Sequence, residues 1–214
     1  AKDTVAQGYE ALKLDPYMRF LGSKPRQHGG GMSPHGEAQG TEIVGAIREA
    51  VGSEVEILID AHGNFDVPTA IRLANSLAPY SITWFEEPVP PESYAALKQV
   101  RDRVSVPICV GERLFTRYDF TPILEQRLSD YLMPDVIRTG GISELKKIAI
   151  MAEAHFVPMS PHDASGPLNI IAGAHTIMTV PNFYKLELAL SQLELYNQTL
   201  DPPLDIRGGT LFLP

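Results

Sequence analysis

Two hydrophobic patterns alternate along the chain. Short apolar runs, which are typical of buried strands, are separated by longer segments in which apolar residues recur every three or four positions, as on one face of a helix. The short runs predict strands over residues 9–14, 55–60, 81–86, 106–111, 130–135, 155–160 and 182–187. The longer segments predict helices over residues 41–51, 67–78, 93–104, 119–128 and 142–154. This alternation predicts an α/β fold built on a parallel sheet.

Two of the predicted helices begin with residues that favour helix N-termini. Asp66 precedes Val67 and Pro68, and proline is tolerated in a first turn because the N–H it lacks would have no partner there. Ser143 precedes Glu144 at the start of the last predicted helix. We expect Asp66 and Ser143 to act as N-caps.

One segment, over residues 16–40, interrupts the alternation. It is rich in glycine and proline and contains two histidines, His28 and His35. Loops of this length are uncommon inside a compact domain, and many of them cover a functional site. We expect a lid-like loop over 16–40, with His28 and His35 near a substrate.

An ionisable residue stands at or just beyond the end of each of six predicted strands. These residues are Asp60, Glu86, Glu112, Asp135, His162 and Glu187. Successive members are 23 to 27 residues apart, which is the length of one strand plus one helix. A closed barrel gathers the carboxyl ends of all its strands at one mouth, whereas an open, doubly wound sheet separates some of them. The spacing therefore predicts a (β/α) barrel with these side chains at its mouth.

Three of the strand-end residues are acidic and follow one another along the chain. Asp60, Glu86 and Glu112 form an all-oxygen set of the kind that Mg²⁺ prefers. Zinc is less well suited, because the set contains no cysteine and needs no histidine. Each acid taken alone could instead be a helix cap or a solvent-facing loop residue, but three in register favour a metal site.

The next two strand ends carry Asp135 and His162. A carboxylate beside an imidazole fixes its tautomer and raises its basicity, as a general base requires. His62, two residues after Asp60, is a second candidate for proton transfer, although it could also be a solvated loop histidine. Glu187 could donate a hydrogen bond to a developing oxyanion if its pKa were raised enough to keep it protonated.

Composition and charge narrow the class of function. The 214 residues carry a formal net charge of −8, and no cluster of lysine and arginine is present, which argues against nucleic acid or an anionic membrane as a partner. The single cysteine, Cys109, allows no internal disulfide. With no leader-like segment and no apolar run of membrane-spanning length, we expect a cytoplasmic protein. Because the chain begins at Ala1 without methionine, we also expect it to be part of a longer polypeptide.

Five motifs, in their order and spacing, resemble the catalytic barrel of the enolase superfamily. They are DAHGN, WFEEPVPPE, VGER, MPDVIRTGGISE and SPHDASGP, which together extend over most of the chain. The similarity is to the mandelate racemase-like branch, and within it to acid-sugar dehydratases of the galactonate dehydratase type. The resemblance implies a TIM-type (β/α)7β barrel over residues 1–214. It also implies that the first barrel strand, the N-terminal α+β capping domain and the tail after the barrel are not part of this sequence.

The same resemblance assigns roles to individual residues. It implies Mg²⁺ held by Asp60, Glu86 and Glu112, and a base formed by Asp135 and His162 that removes the proton α to a carboxylate. It implies that His62 expels the β-hydroxyl as a general acid and that Glu187 stabilises the enediolate. Around the substrate, a sugar acid such as galactonate or gluconate, we expect Lys13, Asp15, His28 and His35. The expected product is a 2-keto-3-deoxy sugar acid, and the family commonly forms homo-oligomers.

Two alternatives remain open at this stage. A racemase or epimerase of the same branch would use two bases, and racemases of the branch carry a Lys-x-Lys motif. Here that stretch is Lys13-Leu14-Asp15, which disfavours a lysine as the second base. A catalytically incomplete barrel fragment that acts only as a metal-binding scaffold is the other alternative.

Overall fold

The computed structural model describes residues 1–21 and 30–213. Within it the chain divides into two compact units, Ala1–Cys109 and Val110–Pro214. The boundary between them falls inside a short strand, Ile108–Val110. Among the described residues, no helix combines the length and the apolar character needed to cross a bilayer.

Parallel strands that follow one another along the chain form the sheet of the first unit. They are β1 (Ala11–Leu14), β2 (Glu56–Asp60), β3 (Trp84–Glu86) and the start of β4 (Ile108–Val110). Each strand pairs in parallel with the next. Between and around them lie α1 (Lys2–Ala6), α2 (Pro34–Val51), α3 (Val67–Leu77) and α4 (Tyr94–Arg101), with 3-10 turns at Met18–Phe20 and Ala78–Tyr80.

Strands β2, β3 and β4 are buried along nearly their whole length, whereas β1 is half-buried. Ile57 and Ile59 in β2 are fully buried, as are Trp84 and Phe85 in β3. A parallel strand that is covered on both faces reads as a continuous apolar run, which explains the pattern in the sequence. A polar residue in such a strand is therefore tolerated best at its end, where Asp60 lies.

Side-chain caps fix the start of three helices in the first unit. Ser33, Asp66 and Ser93 each accept a hydrogen bond from the backbone N–H three residues later, at 3.2, 2.9 and 3.2 Å. Such a bond satisfies one of the N–H groups that have no partner inside the helix. The cap predicted at Asp66 is confirmed.

The cap at Ser33 also corrects the predicted loop. Helix α2 begins at Pro34, so residues 34–40 of the segment predicted as a loop over 16–40 are helical. Gly36 and Gly40 are unfavourable in helices, so the sequence pattern did not predict these helical turns. Both glycines allow close packing against other side chains. A Cβ at Gly40 would lie 2.2 Å from the ring of Tyr17, and one at Gly36 would lie 2.9 Å from Met32.

The second unit also contains parallel pairing, with shorter elements. The amide of Met133 donates to the carbonyl of Val110 at 2.9 Å, next to strand β5 (Tyr131–Leu132). The helices are α5 (Thr116–Glu125), α6 (Val136–Thr139), α7 (Ile142–Ala154), α8 (Pro167–Ile177) and α9 (Leu193–Asn197), with a 3-10 turn at Leu190–Gln192. An antiparallel hairpin of β6 (Asp205–Arg207) and β7 (Thr210–Phe212) follows near the end of the chain.

Three features of the second unit differ from the sequence predictions. The strands predicted over 155–160 and 182–187 are reduced to single parallel bridges at Met159 and Phe183. Prolines at 158 and 161 flank Met159, and they lack the N–H that a longer ladder would need. The cap predicted at Ser143 is wrong, because α7 begins at Ile142 after Gly141. Helix α8 was not predicted at all.

Candidate active site

Two carboxylates lie side by side at the strand ends of the first unit. Asp60 ends β2 and Glu86 ends β3, and the two residues are direct partners in the register of the sheet. Both are almost completely buried, and their carboxylate oxygens lie within 4.8 Å of each other. Two carboxylates this close repel each other unless a cation stands beside them. The position is therefore built to receive positive charge.

Lys13 supplies positive charge at this position. Its Nζ atom lies 3.1 and 3.2 Å from the two carboxylate oxygens of Glu86 and 3.5 Å from Oδ2 of Asp60. Nε1 of Trp84 donates a further hydrogen bond to Glu86 at 3.2 Å. The ammonium group reaches the acids from β1 because Lys13 and Leu58 are paired in register, two residues before the end of β2.

His62 lies immediately beyond Asp60, in a backbone conformation that directs its ring back toward the strand end. Its φ of 49° is in the left-handed region, and its N–H donates to Oδ1 of Asp60 at 2.8 Å. Nδ1 of the ring lies 2.9 Å from Oδ2 of Asp15, and Nε2 lies 3.3 Å from Oδ2 of Asp60. The imidazole is thus held between two carboxylates.

Asp15 is engaged by protein groups through both of its oxygens. Oδ1 accepts hydrogen bonds from the backbone N–H groups of Tyr17 and Met18, at 2.8 and 2.9 Å, and Oδ2 contacts His62. These contacts suit a residue that orients the imidazole. The role in substrate binding that was expected from the sequence stays a prediction.

One of the two histidines expected near the substrate, His35, lies within the described residues. His35 lies in the first turn of α2, is exposed, and packs edge-on against the ring of Phe20 at a centroid distance of 6.3 Å. His28 lies outside the described residues.

The second unit brings Asp135 and His162 together, as the order of the strand ends predicts. Nδ1 of His162 lies 2.7 Å from Oδ2 of Asp135. The carboxylate is fully buried and the imidazole is 8 % exposed. This bond favours the tautomer with hydrogen on Nδ1, which leaves Nε2 able to accept a proton.

Asp135 is held from several directions. As the N-cap of α6 it accepts hydrogen bonds on Oδ1 from the backbone N–H groups of Ile137 and Arg138. On Oδ2 it accepts from His162 and from the hydroxyl of Ser165, the latter at 2.9 Å. Burial alone would raise the pKa of Asp135, but these hydrogen bonds outweigh it, so the pKa lies below its ordinary value.

Nε2 of His162 faces two acids of the same unit. It lies 3.2 Å from Oε2 of Glu112 and 3.8 Å from Oε2 of Glu187. Glu112 also contacts Nε of Arg113 at 3.2 Å, and Oε2 of Glu187 accepts from the backbone N–H of Asp163 at 2.9 Å. The basic nitrogen of the pair is therefore directed toward the strand-end acids.

Asp163 is a buried acid that the sequence analysis did not single out. It is 1 % exposed and accepts a hydrogen bond from Nδ2 of Asn169 at 2.9 Å. Burial, helped by the nearby negative charge of Glu187, raises the pKa of Asp163 to about 6. No strand ends at this residue, so nothing in the sequence pattern marks it; only its place directly after His162 could have drawn attention to it.

The raised pKa of Asp163 makes folding stability depend on pH. The unfolded side chain titrates near 3.8 and the folded one at about 6, so the unfolded state loses its proton first and the folded state loses stability as the pH rises between these values. We expect Asp163→Asn to remove this penalty. The gain in its free energy of unfolding over the unchanged protein should be larger at about pH 7.5 than at about pH 4, by on the order of 2 kcal/mol. Urea unfolding at both pH values measures the difference; an equal effect at both would contradict the assignment.

The sequence profile of the enolase C-terminal domain-like family matches residues 1–214. The chain belongs to this family. The resemblance drawn from the motifs is thereby confirmed.

Named relatives in this family act on sugar acids. The chain is 32% identical over 207 residues to a D-xylonate dehydratase of Haloferax volcanii, covering 97% of this chain and 50% of that protein. It is 31% identical over 183 residues to a D-gluconate/D-galactonate dehydratase of Picrophilus torridus, covering 86% of this chain and 45% of that protein. The chain thus spans about half the length of the curated relatives it matches.

Solved structures of the family share the fold. A mandelate racemase/muconate lactonizing enzyme-like protein from Rubrobacter xylanophilus is 38% identical and superposes with a TM-score of 0.89, covering 100% of this chain and 55% of that one. The predicted fold class, the parallel α/β fold of the enolase-superfamily barrel domain, is confirmed.

Proposed function

We propose that the protein is a metal-dependent dehydratase that removes water from a sugar acid to give a 2-keto-3-deoxy acid. The observation that carries the proposal is the Asp135–His162 pair, whose Nδ1–Oδ2 distance is 2.7 Å and whose Nε2 faces the acids Glu112 and Glu187. The dehydratase names of relatives at 31% and 32% identity support the reaction class. The substrate class is an aldonate such as galactonate or gluconate.

The proposal includes a divalent cation, Mg²⁺, bound by Asp60, Glu86 and Glu112. The donors fit such an ion: all three side chains are buried carboxylates, and hard oxygen ligands of this kind suit Mg²⁺. The contacts of Asp60 and Glu86 with the ammonium group of Lys13 support this part of the proposal. When bound, the ion would neutralise negative charge on the substrate carboxylate.

The base of the proposed reaction is His162. Nε2 removes the proton from the carbon next to the carboxylate, and the imidazolium that results carries its second N–H on Nδ1. Asp135 stabilises that cation through the 2.7 Å contact, and its own lowered pKa keeps it ionised while it does so. A positioned base and its orienting carboxylate are worth about 10²- to 10⁴-fold in rate.

The acid of the elimination step is His62. Its Nε2 donates a proton to the β-hydroxyl as the carbon–oxygen bond breaks, so that water leaves and an enol remains, which then tautomerises to the keto acid. Asp15 contacts Nδ1 at 2.9 Å and holds the ring for this step. Asp15 therefore acts through His62 in this proposal.

Four further residues complete the proposed site. Lys13 contributes a positive charge toward the substrate carboxylate, and Glu187 lies on the Nε2 side of His162, where the enediolate would form. His28 and His35 stay proposed substrate contacts. Hydrogen bonds aimed at a developing charge stabilise the transition state more than the bound substrate.

A racemase or epimerase is the second candidate. One observation favours it: His62, like His162, is paired with a carboxylate, so the chain holds two imidazoles that are each oriented to exchange a proton. A racemase would exchange the α-proton with solvent and invert the carbon without forming keto acid.

A screen of sugar acids tests the proposal. The purified protein is incubated with aldonates and aldarates and Mg²⁺, keto acid is detected as its semicarbazone, and a parallel sample contains EDTA. We expect a signal on one or a few aldonates, lost with EDTA and restored by excess Mg²⁺. Deuterium uptake from solvent into recovered substrate without keto acid would instead support the racemase. A signal that survives EDTA would contradict the metal site.

A further inference from the structure

Asn169 joins two acids of the second unit through a single amide group. It lies in the first turn of α8 and is 2 % exposed. Its Nδ2 atom lies 3.2 Å from Oδ2 of Asp135, 3.1 Å from the carbonyl of His162 and 2.9 Å from Oδ1 of Asp163. An amide nitrogen carries two hydrogens, so these three acceptors share them.

We propose that Asn169 is a positioning residue for the Asp135–His162 pair and that Asp163 holds the Asn169 amide in place. This inference rests on the proposed function only in taking His162 as the base. Neither Asn169 nor Asp163 is exposed enough to meet a substrate, so both act through the pair.

The geometry at Oδ2 of Asp135 supports a positioning role. The oxygen that accepts from Nδ1 of His162 at 2.7 Å also accepts from Asn169. The other bond to this oxygen comes from Ser165, which is exposed, so water can replace it. The bond from Asn169 is buried and has no such substitute. The same amide also binds the backbone carbonyl of His162, so it fixes both members of the pair.

The burial of Asp163 is not explained by a contribution to folding stability. It is 1 % exposed, and within residues 1–21 and 30–213 its Oδ2 has no hydrogen-bond partner. Burying a carboxyl group with one oxygen unsatisfied costs stability. The charged groups that face it are Glu187, His162 and Asp135, and Glu187 repels its ionised form. The side-chain hydrogen bond that Asp163 does make is the one from the Asn169 amide, so we assign its role to holding that amide.

The first test replaces Asn169 with leucine, which has a similar shape but no donor. We expect kcat for α-proton exchange to fall roughly 10- to 100-fold with KM little changed, because a misplacement of about 1 Å can cost on the order of 10²-fold. The primary deuterium isotope effect on kcat should rise, since proton transfer becomes slower than later steps. A purely structural role would lower thermal stability without moving the isotope effect.

Asn182→Leu is the matched control. Its Nδ2 donates to the carbonyls of Ala149 and Val157, at 3.1 and 3.0 Å, so the change removes the same kind of group from the same unit. We expect it to lower stability while kcat and the isotope effect stay near those of the unchanged protein. Equal losses of kcat in Asn169→Leu and Asn182→Leu would overturn the proposal.

Asp163 provides the second pair of variants. Asp163→Asn keeps an oxygen that can accept from Asn169, whereas Asp163→Leu removes it. We expect Asp163→Leu to approach the kcat of Asn169→Leu and Asp163→Asn to recover most of that loss. If Asn169→Leu does not fold, this comparison decides the question; equal kcat in the two Asp163 variants would overturn the role of Asp163.

A spectroscopic readout separates this inference from the proposed function. In ¹⁵N-histidine-labelled protein we expect a downfield Nδ1–H proton for His162, which shifts upfield or is lost in Asn169→Leu. This signal needs no substrate, so it tests the positioning even if no sugar acid reacts. An unchanged signal in Asn169→Leu would overturn the inference, and a changed signal without any turnover would leave the inference standing while removing the proposed function.

Discussion

Replacement of His162 with asparagine is expected to reduce both α-proton exchange and keto acid release by about 10²- to 10⁴-fold, the range in which a positioned general base contributes. Asparagine is close in size and keeps a group near Asp135, but it has no nitrogen that accepts a proton. Both processes depend on the same first step, so they should fall together. The Nε2 contacts with Glu112 and Glu187 are lost in the same change.

The measurement is solvent deuterium uptake, followed by mass spectrometry, alongside the semicarbazide assay. His155→Asn is the matched control, because His155 is an exposed residue at the end of α7 and the substitution is identical. Binding of Mn²⁺ as a substitute for Mg²⁺ should change little in His162→Asn, because none of the proposed metal ligands is replaced. Persistent exchange at the rate of His155→Asn would remove His162 as the base.

The strand-end residues could be found from sequence because the pattern repeats. In a parallel α/β chain, each strand and helix occupy a similar length, so a polar residue that recurs at the ends of apolar runs marks one edge of the sheet. Asp60 and Glu86 are direct partners in the register, and Asp135 and His162 are in contact, as this argument predicts. Which of these residues lie next to each other follows from the order of the strands along the chain.

The supporting contacts could not be found in the same way. Asn169 lies in α8, whose apolar and small residues surround the helix instead of forming one stripe, so no helix was predicted there. Asp163 stands in a segment without regular structure, and the groups that act on it include Asp135 and Glu187, which are distant in sequence. The contact between Asp15 and His62 joins residues 47 positions apart, and chain order does not predict it.

Replacement of His62 with asparagine is expected to separate the two steps that His162→Asn abolishes together. Keto acid release should fall by about 10²- to 10⁴-fold, because the β-hydroxyl then leaves without a proton donor. Exchange of the α-proton should continue within a few-fold, because His162 and Asp135 are unchanged. The rate of keto acid release by Asp15→Asn should lie between those of the unchanged protein and His62→Asn. The asparagine oxygen can still accept from Tyr17 and Met18, but the charge that orients His62 is lost.

The decisive quantity is the ratio of deuterium uptake to keto acid release, measured on one sample of each variant. In the unchanged protein elimination competes with return of the enediolate to substrate, so deuterium uptake is measurable but slower than keto acid release. His62→Asn should raise the ratio and His162→Asn should leave both signals low, whereas a racemase would lose inversion in both variants. Normal keto acid release by His62→Asn would remove His62 from the elimination step, and the leaving hydroxyl would then need another proton donor.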